Sequence, residues 1–396
     1  MKHSSGNEDL EWTINLNRFM LRIAGLWPPD HHDASEAVKS KIQLLYNFIT
    51  ILIVLAIPSL LSLIRVWGDT ILMIENMQYS IPYLSTIFKI CIIWYRQADL
   101  LPLIHMIEKD WAKPKMKEER NIMLKYARTI RLIAMCGLSS TLLALISTCG
   151  YSCFEIIFRH VANLTNPTKL PLPVHYLHDV SKSPQYELTL LAQITTLFIC
   201  GFSYTAVDQL FGLLVLHVCG QLESLNLRLT RMEQYTNFDA TLKYNVQDHV
   251  RLIKSIEIID DAFDLMLLVL IFYFAIIFCL EGFLIVNIIN RKDQLPLKQF
   301  IWFITGIVYI LIHTCLYCAI GEIIVTQSEK ISQATYEHPW YNLKPRAAKN
   351  LMLIMHRASK PLQITAGKIF PMTMIMFSNL LKTSASYISV LLAIQD

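Results

Sequence analysis

Several ionisable side chains lie within long apolar stretches of this sequence, where a charge is costly and tends to face a cavity or a partner. Asp208, Glu281, His313 and Lys382 are the candidates for a function among them. Pairing inside a helical bundle, or hydration near a membrane interface, explains Asp208 and Glu281 more simply than a place on an ion path. Lys382 is harder to accommodate, and we expect it to form an ion pair or to extend its amine towards water.

A second group of polar residues has the chemistry of metal ligands. His175, His178 and Asp179 lie close together in a proline-rich loop, but no fourth ligand is in register for a zinc site. A solvated loop is the simpler interpretation. Cys315 and Cys318 have CxxC spacing inside an apolar run, where helix packing is the more common role of cysteine. We therefore expect no metal and no cofactor.

The sequence contains no catalytic or nucleotide-binding motif. The patterns GxxxxGK[ST], HExxH and GxSxG do not occur, and no GxGxxG follows a strand. We therefore expect neither an enzyme nor a protein that binds nucleic acid.

The elements that position these side chains are membrane helices. The chain has 396 residues, of which 54% are hydrophobic and 17% charged, and its mean hydropathy is +0.41. Apolar runs near the roughly 20 residues needed to cross a bilayer fall at 42–64, 71–94, 130–158, 188–218, 265–289, 300–325 and 369–394. The second run is the weakest, because Glu75, Gln78 and Lys89 interrupt it. The composition predicts a protein that spans the lipid bilayer.

The distribution of basic residues predicts the orientation of these spans. Most of the 35 Lys and Arg residues lie in the N-terminal segment and in the loops after spans two, four and six. Basic loops stay cytoplasmic, so we expect an intracellular N-terminus and an extracellular C-terminus. The sequon Asn163-Leu164-Thr165 falls on a predicted outer loop and predicts glycosylation of Asn163.

The fold class that follows is an all-α, seven-transmembrane helical bundle. We expect four regions: a cytosolic amphipathic segment at 1–41, spans one to six with long cytosolic helix extensions at 42–325, a cytosolic anchor at 326–365, and a seventh span at 366–396. In the first region Trp12, Phe19 and Ile23 recur at helical spacing, and Pro28-Pro29 ends the pattern.

Several stretches of this chain resemble the insect odorant receptors. Those near the C-terminus are Tyr317-Cys318, Gly321-Glu322, Ser328, Ala334, Tyr336, Trp340-Tyr341, Lys360-Pro361-Leu362, Thr365-Ala366-Gly367-Lys368 and Ser386-Tyr387-Ile388-Ser389-Val390-Leu391; Asn17-Arg18 and Gly25-Leu26-Trp27-Pro28 are similar near the N-terminus. Here Ser386-Tyr387 and five further residues lead to Ala393-Ile394, where gustatory receptors have Gln-Phe. This departure favours the odorant branch, and a ligand-tuning subunit over the shared co-receptor.

The resemblance implies an odorant-gated, non-selective cation channel. In that reading the chain binds a small volatile odorant and joins the odorant receptor co-receptor in a heterotetramer around one pore, in the plasma membrane of an olfactory sensory neuron dendrite. Seventh spans line the pore. Cytosolic helices of spans four to seven hold the subunits together. A metabotropic seven-helix chemoreceptor and a gustatory-type receptor channel remain alternatives, and a transporter is a weaker one because no inverted repeat is visible.

The same resemblance locates a channel gate and a ligand pocket. Val390 and Ile394 align with the family's hydrophobic gate; lying four residues apart, they point in directions about 40° apart on a helix. The pocket implied by the family lies in the outer half of the bundle, between spans two, three, four and six. Placed by depth and face, its residues are Met77, Ser80, Tyr83, Ser147, Gly150, Tyr151, Phe154, Gln193, Thr196, Leu197, Thr305, Gly306 and Tyr309.

Overall fold

A computed structural model describes residues 3–27, 34–161, 170, 172, 174–180, 182–232, 238–291 and 297–395. Within these ranges the chain forms eleven α-helices: α1 His3–Ala24, α2 Ala34–Ile51, α3 Ile57–Arg65, α4 Thr70–Tyr95, α5 Gln97–Ala112, α6 Lys117–Val161, α7 Gln185–Thr230, α8 Phe238–Arg291, α9 Leu297–Glu337, α10 Pro345–Ala358 and α11 Met374–Gln395. A π-helical turn at Leu52–Ala56 joins α2 to α3, and a 3₁₀ turn lies at Trp340–Asn342.

Each of the seven predicted spans corresponds to a helix, although the seventh is helical only from Met374, and this confirms the all-α bundle. Among the described residues, five helices are long and apolar enough to cross a bilayer: Ser35–Arg65, Lys117–Gly150, Gln185–Thr230, Phe238–Phe283 and Ile304–Glu337. Helices α4 and α11 correspond to the other two predicted spans, and α4 carries the interrupting Glu75, Gln78 and Lys89. With 46 residues, α7 is about 69 Å long, which exceeds the hydrocarbon core of a bilayer about twofold.

Helix α7 is the centre of the bundle and contacts α1, α4, α6, α8 and α9. From Ser203 to Gln221 nearly every residue is buried, and Phe211, Val215 and Cys219 have no exposed surface. A helix that is apolar on all sides must be surrounded by other helices. Because α7 is the shared neighbour of α4, α6 and α9, it holds the predicted pocket helices around one axis.

Helix α1 is amphipathic, but Trp12 of the predicted apolar repeat is exposed. Met20, Leu21 and Ala24 are fully buried in the bundle, whereas Phe19 is exposed. The helix ends at Ala24, before Pro28-Pro29, because Gly25 adopts φ +73° and the Leu26 amide donates to the Leu21 carbonyl at 2.8 Å. This left-handed residue closes the last turn, and glycine adopts that conformation without steric cost.

The predicted seventh span begins later than its hydropathy indicates, because an unpredicted hairpin precedes it. Strands β1 (Thr365–Ala366) and β2 (Phe370–Pro371) pair antiparallel. Gly367 and Lys368 form the turn between them with φ +61° and +58°. Helix α11 therefore begins at Met374.

Candidate functional site

The segment between residues 361 and 374, which we term the α11 root, is held on one side by acidic residues of α8. The Thr365 amide and hydroxyl donate to Asp260 at 2.6 and 2.9 Å. The Lys368 ammonium lies 2.5 Å from both Asp260 and Asp261. These bonds fix the hairpin turn to α8. They also explain why the sequence Thr-Ala-Gly-Lys occurs here.

On its other side the α11 root is held by α9. The Ser328 hydroxyl accepts a hydrogen bond from the Leu362 amide at 2.9 Å, and the Glu322 carboxylate accepts one from the Met374 amide at 3.2 Å. The second bond places a negative charge at the first turn of α11, where it satisfies a free helix N–H and complements the helix dipole. Gly321 lies against the backbone at Met372. Helices α8 and α9 thus jointly set the position of α11.

Replacing Gly321 by alanine is expected to destabilise the protein by about 1–3 kcal/mol, the range for an overpacked core. An added methyl would overlap the Met372 carbonyl oxygen, and this backbone atom cannot rotate away as a side chain can. The thermal midpoint of the purified protein would report the loss. As a control, Gly212→Ala places its methyl 3.7 Å from Ile320, an ordinary contact. Equal midpoints for both variants would contradict the close approach of α9 to the root.

Helix α11 presents two chemically different faces. One face packs on the bundle: Ser384 is buried with its carbonyl 3.8 Å from the Cys279 sulfur, and Ile388 lies against Gly282. The opposite face is exposed and carries a stripe of polar residues at helical spacing, which we term the polar stripe: Asn379, Lys382, Thr383, Ser386 and Ser389. The stripe is unusual in a span, because polar side chains in a membrane normally face protein or water.

The predicted gate residues lie at the C-terminal end of this helix. Val390 is 54% exposed, one turn after Ser386 and at the edge of the polar stripe. Ile394 lies within α11, but its side chain is outside the described residues. Lys382 forms no ion pair with any residue that the structure describes, so the predicted pairing is not seen within one subunit.

A buried ionic cluster lies where α4, α7 and α9 meet. Asp208 of α7 forms an ion pair with Lys89 of α4, and its carboxylate also accepts a hydrogen bond from the Tyr317 hydroxyl. The His313 imidazole lies 2.7 Å from the other carboxylate oxygen. Lys89 has no exposed surface, and its ammonium lies 3.2 Å from the centroid of the Tyr204 ring. A buried charge is tolerated only when it is paired and hydrogen-bonded in this way.

A second buried carboxyl group lies on α8. Glu281 is 1% exposed, and one of its oxygens accepts a hydrogen bond from the Gln78 amide at 2.6 Å. Its other oxygen has no partner among the described residues. Gly306 of α9 lies against this carboxyl, because a methyl there would be 2.8 Å from Oε1 and 3.2 Å from Oε2.

The predicted pocket residues of α4 and α7 face the bundle. Ser80, Tyr83, Gln193, Thr196 and Leu197 are buried, and Met77 is half-buried. The two hydroxyls are satisfied within their own helices, since Ser80 donates to the Asn76 carbonyl and Thr196 to the Ala192 carbonyl. The Gln193 amide donates to the Tyr176 hydroxyl at 2.9 Å, which joins the loop before α7 to this face.

The other predicted pocket residues lie on α9 and α6. On α9, Tyr309 stacks on His313 at 4.8 Å between ring centroids, Gly306 faces Glu281, and Thr305 is exposed. On α6, a methyl at Gly150 would meet no atom within 4 Å. Ser147, Tyr151 and Phe154 belong to α6, but their side chains lie outside the described residues, as does the whole of Asn163.

The histidines of the loop before α7 have separate partners. The His175 ring lies 3.1 Å from the Arg65 guanidinium, and the His178 ring lies 2.8 Å from the Thr189 hydroxyl. Asp179 pairs with Lys182 at 3.4 Å. Each of the three potential ligands is therefore engaged elsewhere.

Sequence reasoning missed the partners Gln78, Tyr204 and Tyr317. Two opposite charges within spans, Lys89 and Asp208, were the available signal for the ionic cluster.

These features define a multi-pass helical membrane protein whose interior holds paired charges and aromatic rings. The family model described as the seven-transmembrane odorant receptor matches residues 69–385, and the chain belongs to this insect odorant receptor family. Members of the family are ligand-gated cation channels. The relatives are chemosensory receptors and not enzymes.

Individual relatives and solved structures agree with this assignment. Odorant receptor 10 of Aedes albopictus is 27% identical over 69% of this chain and 70% of its own length. Odorant receptor Or2 of Anopheles gambiae is 23% identical over 85% and 89%. The olfactory receptor OR5 of Machilis hrabei in complex with eugenol is 14% identical, and the similarity covers 98% of this chain and 100% of that one with a TM-score of 0.83. A second solved structure of the same receptor gives a TM-score of 0.84.

Proposed function

We propose that this chain is the ligand-tuning subunit of an odorant-gated, non-selective cation channel. It binds a small volatile in the outer half of its bundle and opens a central pore in a tetramer with the odorant receptor co-receptor. In this proposal the N-terminus is intracellular, the C-terminus is extracellular, and the channel lies in the plasma membrane of an olfactory sensory neuron dendrite.

The observation that carries the proposal is the polar stripe of α11. In contact with acyl chains, the Asn379 amide and the Lys382 ammonium would lose hydrogen bonds to water, which costs free energy in hydrocarbon. They are nevertheless on the face that the bundle leaves uncovered. A water-filled pore on the axis of several subunits removes this conflict. It also allows the Lys382 amine to remain hydrated when only some subunits carry it.

Val390 lies where this stripe gives way to apolar side chains. A ring of branched apolar residues at that level blocks ions by excluding water, and a small rotation of α11 that moves them aside lets the pore hydrate. Ile394 forms the next ring in this proposal. The α11 root supplies the means of rotation, since it is bonded to both α8 and α9.

The energetics limit the ligand's effect. A volatile of roughly ten heavy atoms gains at most about 8 kcal/mol on binding, which corresponds to a micromolar constant. Moving a gate from mostly closed to mostly open requires about 5.5 kcal/mol of preference for the open state. Many volatiles will therefore act as partial agonists.

Replacing Val390 by alanine is expected to raise the basal current of the assembled channel several-fold, since a smaller side chain weakens the dewetting barrier. Whole-cell recording of the chain co-expressed with the co-receptor measures this. Ile375→Ala is the control, because Ile375 is also exposed but lies near the start of α11. Unchanged basal and evoked currents for both Val390→Ala and Ile394→Ala would count against the gate.

Two further measurements separate this proposal from its alternatives. Tags on both termini, probed on intact cells, report whether the C-terminus is extracellular. A metabotropic seven-helix receptor would have the reverse orientation. Volatile-evoked current recorded without G proteins distinguishes a channel from a metabotropic receptor. A gustatory-type channel would give current without the odorant co-receptor.

A further inference from the structure

The buried carboxyl of Glu281 has an unused hydrogen-bonding oxygen. Its Oε1 accepts from the Gln78 amide at 2.6 Å, and its side chain is 1% exposed. Its Oε2 receives no hydrogen bond from any residue that the structure describes. Buried polar atoms are almost always paired, so an unpaired one calls for an explanation. A ligand that donates a hydrogen bond to this oxygen is one such explanation.

The surroundings of this oxygen come from three helices that the proposed pocket includes or adjoins. Gln78 lies in the first half of α4, Glu281 in the second half of α8, and Gly306 in the first half of α9. Glycine at position 306 lets the α9 backbone approach the carboxyl, because a methyl would be 2.8 Å from Oε1. One turn later on α9, Tyr309 keeps 37% of its surface open. Positions 306 and 309 are three residues apart, so Tyr309 lies on the side of α9 that approaches the Glu281 carboxyl.

The electrostatic surroundings of Glu281 differ from those of Asp208 in the ionic cluster. Asp208 has Lys89 as its cation, together with His313 and Tyr317 as hydrogen-bond partners. Glu281 has only the neutral amide of Gln78 among the described residues. In an apolar interior a carboxylate needs a positive partner as well as hydrogen bonds. Glu281 has no such partner in the part of the chain that the structure describes, and a ligand is able to supply it.

We propose that Glu281 is the recognition group for a small protonated amine. The ammonium donates to Oε2 of Glu281 and lies against the ring of Tyr309, and the hydrocarbon part of the ligand occupies the apolar space of the bundle. An ammonium supplies both the charge and the donors that the site lacks, and aromatic rings attract cations. The inference rests on the proposed function in that it assigns the ligand class of the same pocket. A carbonyl compound accepting from a protonated Glu281 is the competing outcome.

The test uses pairs of volatiles that differ in one group. Hexylamine is compared with hexan-1-ol, and 2-phenylethylamine with 2-phenylethanol, on the chain co-expressed with the co-receptor at neutral pH. We expect each amine to reach half-maximal current at a concentration about tenfold lower than its alcohol, since a charge-assisted hydrogen bond is the stronger one. Glu281→Gln keeps the size and the bond to Gln78 but removes the charge. It should abolish the amine's advantage and leave the alcohol's response within about threefold.

A second variant perturbs the Glu281 carboxyl without replacing a charged residue. Gly306→Ala places a methyl against the Glu281 carboxyl and should raise the amine concentration required by about tenfold, because the carboxyl must move. Alanine favours the helix, so α9 itself is not weakened. Gly212→Ala is the matched control, since its methyl makes only an ordinary 3.7 Å contact. If Glu281→Gln fails to reach the membrane, the wild-type pairs and Gly306→Ala decide the question.

Binding to the purified chain, followed as a shift in thermal midpoint with each volatile, separates this inference from the proposed function. Amine stabilisation that Glu281→Gln removes, without any evoked current, would support the amine site and contradict the channel. Alcohols equal to amines in the wild type would overturn the amine site. So would a hexanal response that Glu281→Gln retains and Glu281→Leu loses, because it would make position 281 a donor to carbonyls.

Discussion

Replacing Asp208 by alanine is expected to destabilise the folded protein by about 3–5 kcal/mol, the cost of leaving a buried charge without its partner. Lys89 has no exposed surface and would keep only the face of the Tyr204 ring. His313 and Tyr317 would lose their shared acceptor at the same time. Because most proteins are stable by about 5–15 kcal/mol, surface expression should fall severely. Chemical denaturation of the purified protein measures the free energy.

Two controls identify the cause of this loss. Lys89→Met combined with Asp208→Leu removes both charges and should recover much of the stability, because apolar replacement of a whole buried pair is often neutral. Asp99→Ala breaks the ion pair of Asp99 with Arg96, where both side chains are exposed, and should cost less than about 1 kcal/mol. If Asp208→Ala alone is as stable as the wild type, Lys89 is not held by this carboxylate.

Replacing Asp110 by alanine is the second large effect, about 1.5–3 kcal/mol, because charged hydrogen bonds are lost while Arg251 keeps its ion pair with Asp248. Asp110 is 1% exposed and lies on α5, outside the spans. Its carboxylate accepts two hydrogen bonds from the Arg251 guanidinium, at 2.7 and 2.8 Å, and lies 3.2 Å from the His217 ring. It therefore joins α5 to α7 and α8. Chemical denaturation again measures the loss, and Glu118→Ala, in an exposed pair with Arg231, is the control.

The same carboxylate has a defined dependence on pH. Burial by itself raises the pKa of Asp110, but His217 and Arg251 together outweigh burial and hold this pKa below its usual range. The contribution of the Asp110 carboxylate to the free energy of unfolding is complete above the pKa of an unfolded aspartate, about 3.9. It is lost as the pH falls through the lower pKa of the folded state. The stability difference between wild type and Asp110→Asn should thus stay constant from pH 7 to 5 and shrink only in stronger acid. A difference that shrinks between pH 7 and 5 would contradict this arrangement.

Hydropathy was sufficient to predict where the helices lie. Each predicted span corresponds to a helix, because a run of apolar residues must satisfy its backbone within itself to enter a bilayer, although the start of the seventh span belongs to the hairpin. The helical spacing of apolar residues likewise predicted α1, although Phe19 of that pattern is exposed and Gly25 ends the helix before the two prolines. Local signals of this kind depend on neighbouring residues only. They were accurate for features that the residues of a single helix determine.

Side-chain partners could not be predicted in the same way. Lys89 and Asp208 are 119 residues apart, and Gln78 and Glu281 are 203 apart. Which of several polar residues in the spans meet depends on the rotation and depth of each helix, which hydropathy does not specify. The hairpin before α11 was missed for a related reason: besides Gly367 in its turn, it is held by Asp260 and Asp261 of another helix.

One uninterrupted helix, α9, carries both Tyr309 and Gly321 and runs for 41 residues. A displacement of α9 at Tyr309 is passed along its axis to Gly321, because the backbone hydrogen bonds of the helix run without a break between them. Under the proposed function, a substitution near Tyr309 that changes ligand recognition is therefore expected to change gating as well, since Gly321 of the same helix lies against the α11 root.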